Sequence, residues 1–225
     1  MKFGKTLARA ATLVLLVAPI PVAAAAGPAS AATPVTTTTT TTIYNQTVMI
    51  YGQGDALIEG AVTASDGSYV TGGSVALQAS AYPFKTWTTI YTTSPSKYLS
   101  HLVQPKISTA YRWVYSGFTN ADPTDTTTAS YAASQTSTPM LQQVARRLTV
   151  RSVGLHLMGK IAPAAKLKVV FKKKVHGKYR PWFTTRTNKK GKFDVHLHAA
   201  RGTKAAIVIA AKGGYASAVQ MGSIV

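Results

Sequence analysis

Thr109-Ala110-Tyr111-Arg112-Trp113-Val114-Tyr115 is the stretch that decides the fold class. Its aromatic residues fall at every second position, and a strand sends alternate side chains to opposite faces. Tyr111, Trp113 and Tyr115 therefore share one face, as the inner side of a packed sheet requires. The same stripe could serve as a sugar-stacking platform. Core packing is the simpler use, because Ala110, Arg112 and Val114 supply an opposite face of another character. Outward from this segment, short alternating runs recur at Leu57 to Val62, Ser74 to Gln78, Thr86 to Tyr91 and Tyr98 to Val103. Asp66-Gly67 and Gly72-Gly73 separate them, as turn residues that tolerate positive φ do. Beyond Ile43 no stretch keeps a helical period, so the expected class is all-β.

The second half repeats the order of the first. Gly60 and Val62 correspond to Gly159 and Ile161, Val75 and Leu77 to Val169 and Phe171, and the strand at Tyr111 to Thr203 to Ala210. Thr93 to Tyr98 corresponds to Thr187 to Phe193, and Tyr131-Ala132-Ala133-Ser134 to Tyr215-Ala216-Ser217-Ala218. The spacing between copies shrinks along the chain, and extra residues between Phe118 and Ser130 in the first copy account for part of that. A repeat of this length built of strands and turns predicts two similar β-sandwiches in tandem.

These elements together resemble the bacterial immunoglobulin-like repeats of secreted and cell-surface proteins. The resemblance rests on Gly60/Val62, Val75/Leu77, Trp87-Thr88-Thr89, Tyr111 to Val114 and Tyr131 to Ser134, and on Gly159/Ile161, Val169/Phe171, Thr184-Thr185 and Lys190 to Phe193 in the second copy. It spans nearly all of residues 43–225. The second copy departs from it at Ala205, where the first has Tyr111, and Pro105 cuts one strand short. The resemblance implies spacers, stalks or adhesive units and no catalytic residues.

Lys2, Lys5 and Arg9 before the apolar Ala10 to Val17, with Ala29-Ser30-Ala31 after it, read as a secretory signal peptide over 1–31. Pro19 and Pro21 interrupt it before the roughly 20 apolar residues of a membrane span are reached, and no transmembrane segment is expected in the mature chain. Residues 32–42 contain an unbroken Thr36 to Thr42 run. With no apolar period it reads as an extended Thr-rich linker, or alternatively a glycosylated stalk. The sandwiches are then expected over 43–145 and 146–225. The chain holds no cysteine, so disulfides and thiolate chemistry are excluded and stability outside the cell must come from apolar burial. The expected location is extracellular, with cell-wall association through non-covalent contact.

Charge separates the two copies. Of 25 Lys and Arg, eighteen lie between Arg146 and Lys212, against the single acid Asp194. Residues 43–145 hold Lys85, Lys97, Lys106 and Arg112 against Asp55, Glu59, Asp66, Asp122 and Asp125. Losing Lys2, Lys5 and Arg9 lowers the net charge only from +19 to +16. Clustered cations attract a polyanion by raising local potential and releasing counterions. In Lys166 to Lys174, alternation puts Leu167, Val169 and Phe171 on one face and Lys166, Lys168, Lys172 and Lys174 on the other. The expected contact set is Lys166, Lys168, Lys172, Lys173, Lys174, Lys178, Arg180, Lys189, Lys190 and Lys192. Its partner would be an anionic cell-wall or extracellular polymer, such as teichoic acid or acidic polysaccharide. Lysine outnumbers arginine in this set, which suits diffuse charge contact over bidentate reading. No nucleic-acid motif is present, so nucleic acid would bind only non-specifically.

Other constellations are thin. Asp194, His196 and His198 share a strand face, yet their spacing of about 6.5–7 Å per two residues is wide for one ion, and no metal or cofactor is expected. Asp122 and Asp125 could chelate calcium weakly in a loop. Trp87 and Trp182 are candidates for a sugar contact. Glu59 and Asp66 do not form a recognisable glycosidase pair, and nucleophile-elbow, zincin and P-loop motifs are missing. The reading is a secreted, non-enzymatic protein of two immunoglobulin-like sandwiches whose basic half contacts anionic envelope polymer. The alternative is a passive structural spacer whose charge serves solubility.

Overall fold

The buried hydrophobic side chains sort into two clusters, one drawn from Ile43 to Tyr131 and the other from Ala145 to Ala218. The computed structural model describes residues 33–44, 46–122 and 128–224. The expected leader lies outside the described residues, as does Asp125. Every regular element among the described residues is a strand, and none of these residues forms a helix long and apolar enough to cross a membrane.

The first cluster is enclosed by β1 (Thr37–Ile43), β2 (Met49–Ile50), β3 (Ala56–Ala64), β4 (Val75–Ala81), β5 (Thr88–Thr93), β6 (Leu99–Val103), β7 (Thr109–Tyr115), β8 (Ser134–Gln135), β9 (Met140–Gln142) and β10 (Val144–Ala145). The second is enclosed by β11 (Arg147–Val153), β12 (His156–Ala162), β13 (Lys168–Val175), β14 (Lys178–Arg186), β15 (Lys192–His196), β16 (Lys204–Ile209) and β17 (Ala218–Ser223). The sheet orders match. A three-stranded sheet, β1-β3-β6 or β11-β12-β15, faces a larger one, β5-β4-β7-β8 with β9 on β7, or β14-β13-β16-β17. Each module is thus a β-sandwich, and the repeat seen in the sequence is a repeat of topology.

Register makes the correspondence residue by residue. Leu77 pairs with Trp113 as Phe171 pairs with Ile207, and Ala79 pairs with Tyr111 as Lys173 pairs with Ala205. Tyr111, Trp113 and Tyr115 are 3%, 0% and 0% exposed, so the aromatic stripe is core. Trp113 lies against the backbone of β3: a Cβ added to Gly60 would meet its ring at 2.4 Å. Its indole N–H donates to the Glu59 carbonyl at 3.2 Å. In the second module the ring of Phe193 covers Gly159 in the same manner.

The threonine tract corrects the expectation of a linker over 32–42. Thr37–Ile43 is β1, paired antiparallel along its whole length with β3, so the first sandwich begins at Thr37. Threonine is β-branched and suits a pleated strand. Its hydroxyl lets the inner face be polar and still satisfied. Thr37 and Thr39 hydrogen-bond the Ser134 hydroxyl at 2.7 and 2.6 Å, and Thr41 bonds Thr136. The buried Trp113 N–H donates to Thr41 Oγ1 at 2.9 Å. Hydroxyl bonds therefore help hold one sheet to the other.

A single residue, Arg146, separates β10 from β11. Its guanidinium lies 4.0 Å over the Tyr215 ring and donates to the Pro163 carbonyl at 2.8 Å. Burial depresses the Arg146 pKa and raises that of Tyr215. Tyr51 meets Tyr215 edge-on at 6.4 Å. Ser108 N–H donates to the Gly214 carbonyl and Ala216 N–H to Val144, and the Tyr82 and Ile107 side chains press on Gly214. The modules are bonded to each other at backbone level.

Two outcomes follow from this packing. Thr41→Val leaves the Trp113 N–H buried without an acceptor, so chemical denaturation should show a loss of about 1–3 kcal/mol, whereas Thr38→Val on the exposed face should change stability by less than about 0.5 kcal/mol. Burial raises the Tyr111 phenol from 10.0 to about 12. The unfolded chain ionises this group first, so its contribution is complete below pH 10 and is lost as pH rises to about 12. Denaturant midpoints measured across that window should fall less steeply in Tyr111→Phe than in the wild type.

Candidate functional site

Most cations of the second module occupy two outer faces and the turns between them. β13 and the residue before it place Leu167, Val169 and Phe171 in the core, and Lys168, Lys172 and Lys174 alternate with them on the outer side of the larger sheet. The segment enters in a fixed register because Thr187, itself buried, accepts the Leu167 N–H at 2.8 Å and donates to the Ala165 carbonyl. Lys166, exposed, stands just before this strand.

Cross-strand pairing extends the face in rows. Lys168 lies beside Arg186. The next row is Thr184, Val170, Val208 and Val219. Lys172 follows with Pro181, Ala206 and Met221, and Lys174 with Tyr179. Lys204, paired with Ser223, continues the alternation of β16 onto the same side. Lys168, Lys172, Lys174, Lys204 and Arg186 thus share one face. Lys204 escaped the sequence reading, although the alignment of Ala205 with Tyr111 fixed its parity.

A bulge removes other expected members. Phe171 pairs with Phe183 but Lys172 pairs with Pro181, so Trp182 is an extra residue in β14. An inserted residue inverts the alternation beyond it. Arg180 therefore pairs with Lys173, and Lys178 with Val175, both on the core-side parity and away from Lys172 and Lys174. Of the expected contact set, Lys178 and Arg180 therefore lie off the face that carries Lys172 and Lys174. Lys192 is also displaced: it pairs with Lys160 on the smaller sheet, where Arg147, Arg151 and Lys160 share the outward parity. Lys189 and Lys190 project from the turn between β14 and β15. Asn188 Oδ1 shapes that turn by accepting the N–H groups of Lys190 and Lys192 at 2.9 and 3.0 Å, and Gly191 takes φ +71° beneath the Ile161 carbonyl.

No Lys or Arg among the described residues is paired with a carboxylate. The one ion pair there is His156 with Asp194, at 3.4 Å and exposed. His156 faces His196 across β12 and β15, their rings 5.0 Å apart, and His196 Nδ1 lies 3.2 Å from His198 Nε2. Pairing across strands adds His156, a neighbour that spacing along one strand could not reveal. Among the described residues no group of three or more His, Asp or Glu side chains is disposed to hold a metal ion.

Trp87, Trp182 and Asp66 have structural partners. Arg112 covers the Trp87 ring at 4.2 Å and donates to Gln78 at 2.8 Å. Trp182 packs edge-on against Phe183 at 5.0 Å, with Lys173 Nζ 5.9 Å from its ring centre. Hydrogen bonds from Ser68, its hydroxyl first and its N–H second, lower the Asp66 carboxyl below its ordinary range, and Glu59 sits within β3.

No protein-family model matches this chain, and no curated protein matches it. Among solved structures it is similar to the adhesin InvE of Yersinia pseudotuberculosis, at 13% identity and a TM-score of 0.29, over 83% of this chain and 58% of that one. It is also similar to Tp47, the 47-kilodalton lipoprotein of Treponema pallidum, at 12% identity and a TM-score of 0.27, over 85% of this chain and 52% of that one. The chain thus spans little more than half the length of either structure.

Proposed function

We propose that this is an exported, non-enzymatic pair of immunoglobulin-like sandwiches whose second module docks on an anionic envelope polymer. The immunoglobulin-like reading draws support from the seven-strand order of the second module, whose first, second and fifth strands face the other four. The polymer reading is carried by one observation: Lys168, Lys172, Lys174, Lys204 and Arg186 share a sheet face with no carboxylate paired to any of them. Lys168 and Lys174 lie about 20 Å apart along β13 at the usual rise per residue, a length that suits a linear polymer. Lys172 and Lys174 are about 7 Å apart, within a Debye length of about 8 Å at physiological salt, so they act on a partner together. Solubility alone would be served by charges of both signs.

Retention on teichoic-acid-bearing cell wall, measured from low to high salt, tests this. Replacing Lys168, Lys172 and Lys174 with Gln should lower the slope of log affinity against log salt by roughly 2–3, about one unit for each phosphate no longer neutralised. Replacing Arg147, Arg151 and Lys160 with Gln on the smaller sheet should lower it less. Binding that ignores salt, or survives the first triple replacement, overturns the proposal in favour of a passive spacer. Equal loss from both triples removes the assignment to the larger sheet.

A further inference from the structure

The two modules differ at one end of the larger sheet. In the first, Tyr111 fills the space between the sheets, flanked in register by Ala79 and Met140. The equivalent row of the second module is Ala205, flanked by Lys173 and Gly222. A buried tyrosine and a methionine are replaced by alanine and glycine, and a cavity of about 210 Å³ opens there. Val150 and Leu157 of the smaller sheet and Phe171, Ala205 and Ile207 of the larger sheet form its apolar walls, Trp182 is also on its lining, and Ser152, Gln220 and Ser223 add polar atoms. Apolar cavities of about 150 Å³ are known to take up benzene-sized guests.

Two cations stand near the Trp182 side of this cavity, outside its lining. Lys173 Nζ lies 5.9 Å from the centre of the Trp182 ring. Arg180 pairs with Lys173 and shares its core-side parity only because the bulge at Trp182 inverts the alternation. The bulge thus supplies both the aromatic wall and the second cation. A largely apolar chamber with two cations near its Trp182 wall, neither paired to a carboxylate, is complementary to an anionic amphiphile. The geometry points to a site for a single-chain anionic amphiphile, with its acyl chain between the sheets and its carboxylate held by Lys173 and Arg180. By liquid volume the cavity matches about seven waters, which suits a chain of about eight carbons.

This site is independent of polymer docking on the outer face, and one substitution separates the two. Octanoate is the probe, added to the full chain and followed by calorimetry and by tryptophan emission. Octanoate should bind and shift the emission, and Trp182→Phe should remove the shift. Octanol, of equal chain length and no charge, should bind at least tenfold more weakly. Ala205→Tyr copies the first module and fills the cavity without changing charge. It should weaken octanoate at least tenfold and leave retention on cell wall unaltered. Lys173→Gln with Arg180→Gln should bring octanoate down to the level of octanol while octanol binding stays constant. The proposal is overturned if octanoate does not bind, if octanol binds equally well, or if a folded Ala205→Tyr protein still binds octanoate. Should Ala205→Tyr fail to fold, the double Gln variant decides: unchanged octanoate binding overturns the site.

Discussion

Each sandwich is organised around an aromatic ring lying on a strand that has no side chain beneath it. Trp113 rests on Gly60 and Phe193 on Gly159, and at both positions a methyl group would sit within the ring's own contact radius. The ring reaches the backbone, and the two sheets close over it. For Trp113 the polar edge is answered by the Glu59 carbonyl and the backbone N–H by Thr41, so a large apolar body is buried with no polar group left unpaired. That combination fixes strand register, and register fixes every statement about which side chains face outward.

Without cysteine, nothing covalent supports these modules, and the second must also confine many like charges to a small body. Two-faced placement eases this. Most of the cations are split between the outer surfaces of both sheets and the intervening turn, with an apolar core between them, so mutual repulsion is spread through solvent and screened by salt. The single ion pair among the described residues, His156 with Asp194, is exposed, and pairs of that kind contribute little to stability. Cohesion in this half therefore comes from Phe171, Phe183 and Phe193, with Phe171 stacked on Phe183 and edge-on to Phe193, ring centres within 5.8 Å, together with the buried aliphatics around them.

The legible parts of the fold were those where residue types alternate. Tyr111 to Tyr115 and Leu167 to Phe171 could be assigned to faces because neighbours differ in polarity. The repeat was legible for the same reason, down to the correspondence of Ala205 with Tyr111. The threonine strand was illegible because a run of identical residues has no pattern, although Thr39 and Thr41 are buried and Thr38 and Thr40 are not. The faces of half of β14 were illegible because one extra residue at Trp182 reverses parity, and adjacent Trp182-Phe183 after Pro181 was the only local hint. Lys192 and Lys160, and His156 and His196, meet through pairing between strands far apart in sequence, which spacing along a single strand does not encode.

The one-residue connection between β10 and β11 has a mechanical meaning. A flexible tether would let the modules swivel and would take up slack when the chain is stretched. Here a pull along the polypeptide passes from one sandwich to the other through Arg146 with almost no compliance. The parallel pairing of Met49–Ile50 with Val144–Ala145 then carries the load in shear, with several hydrogen bonds strained at once instead of one after another. Such a joint acts as a stiff strut between the two sandwiches.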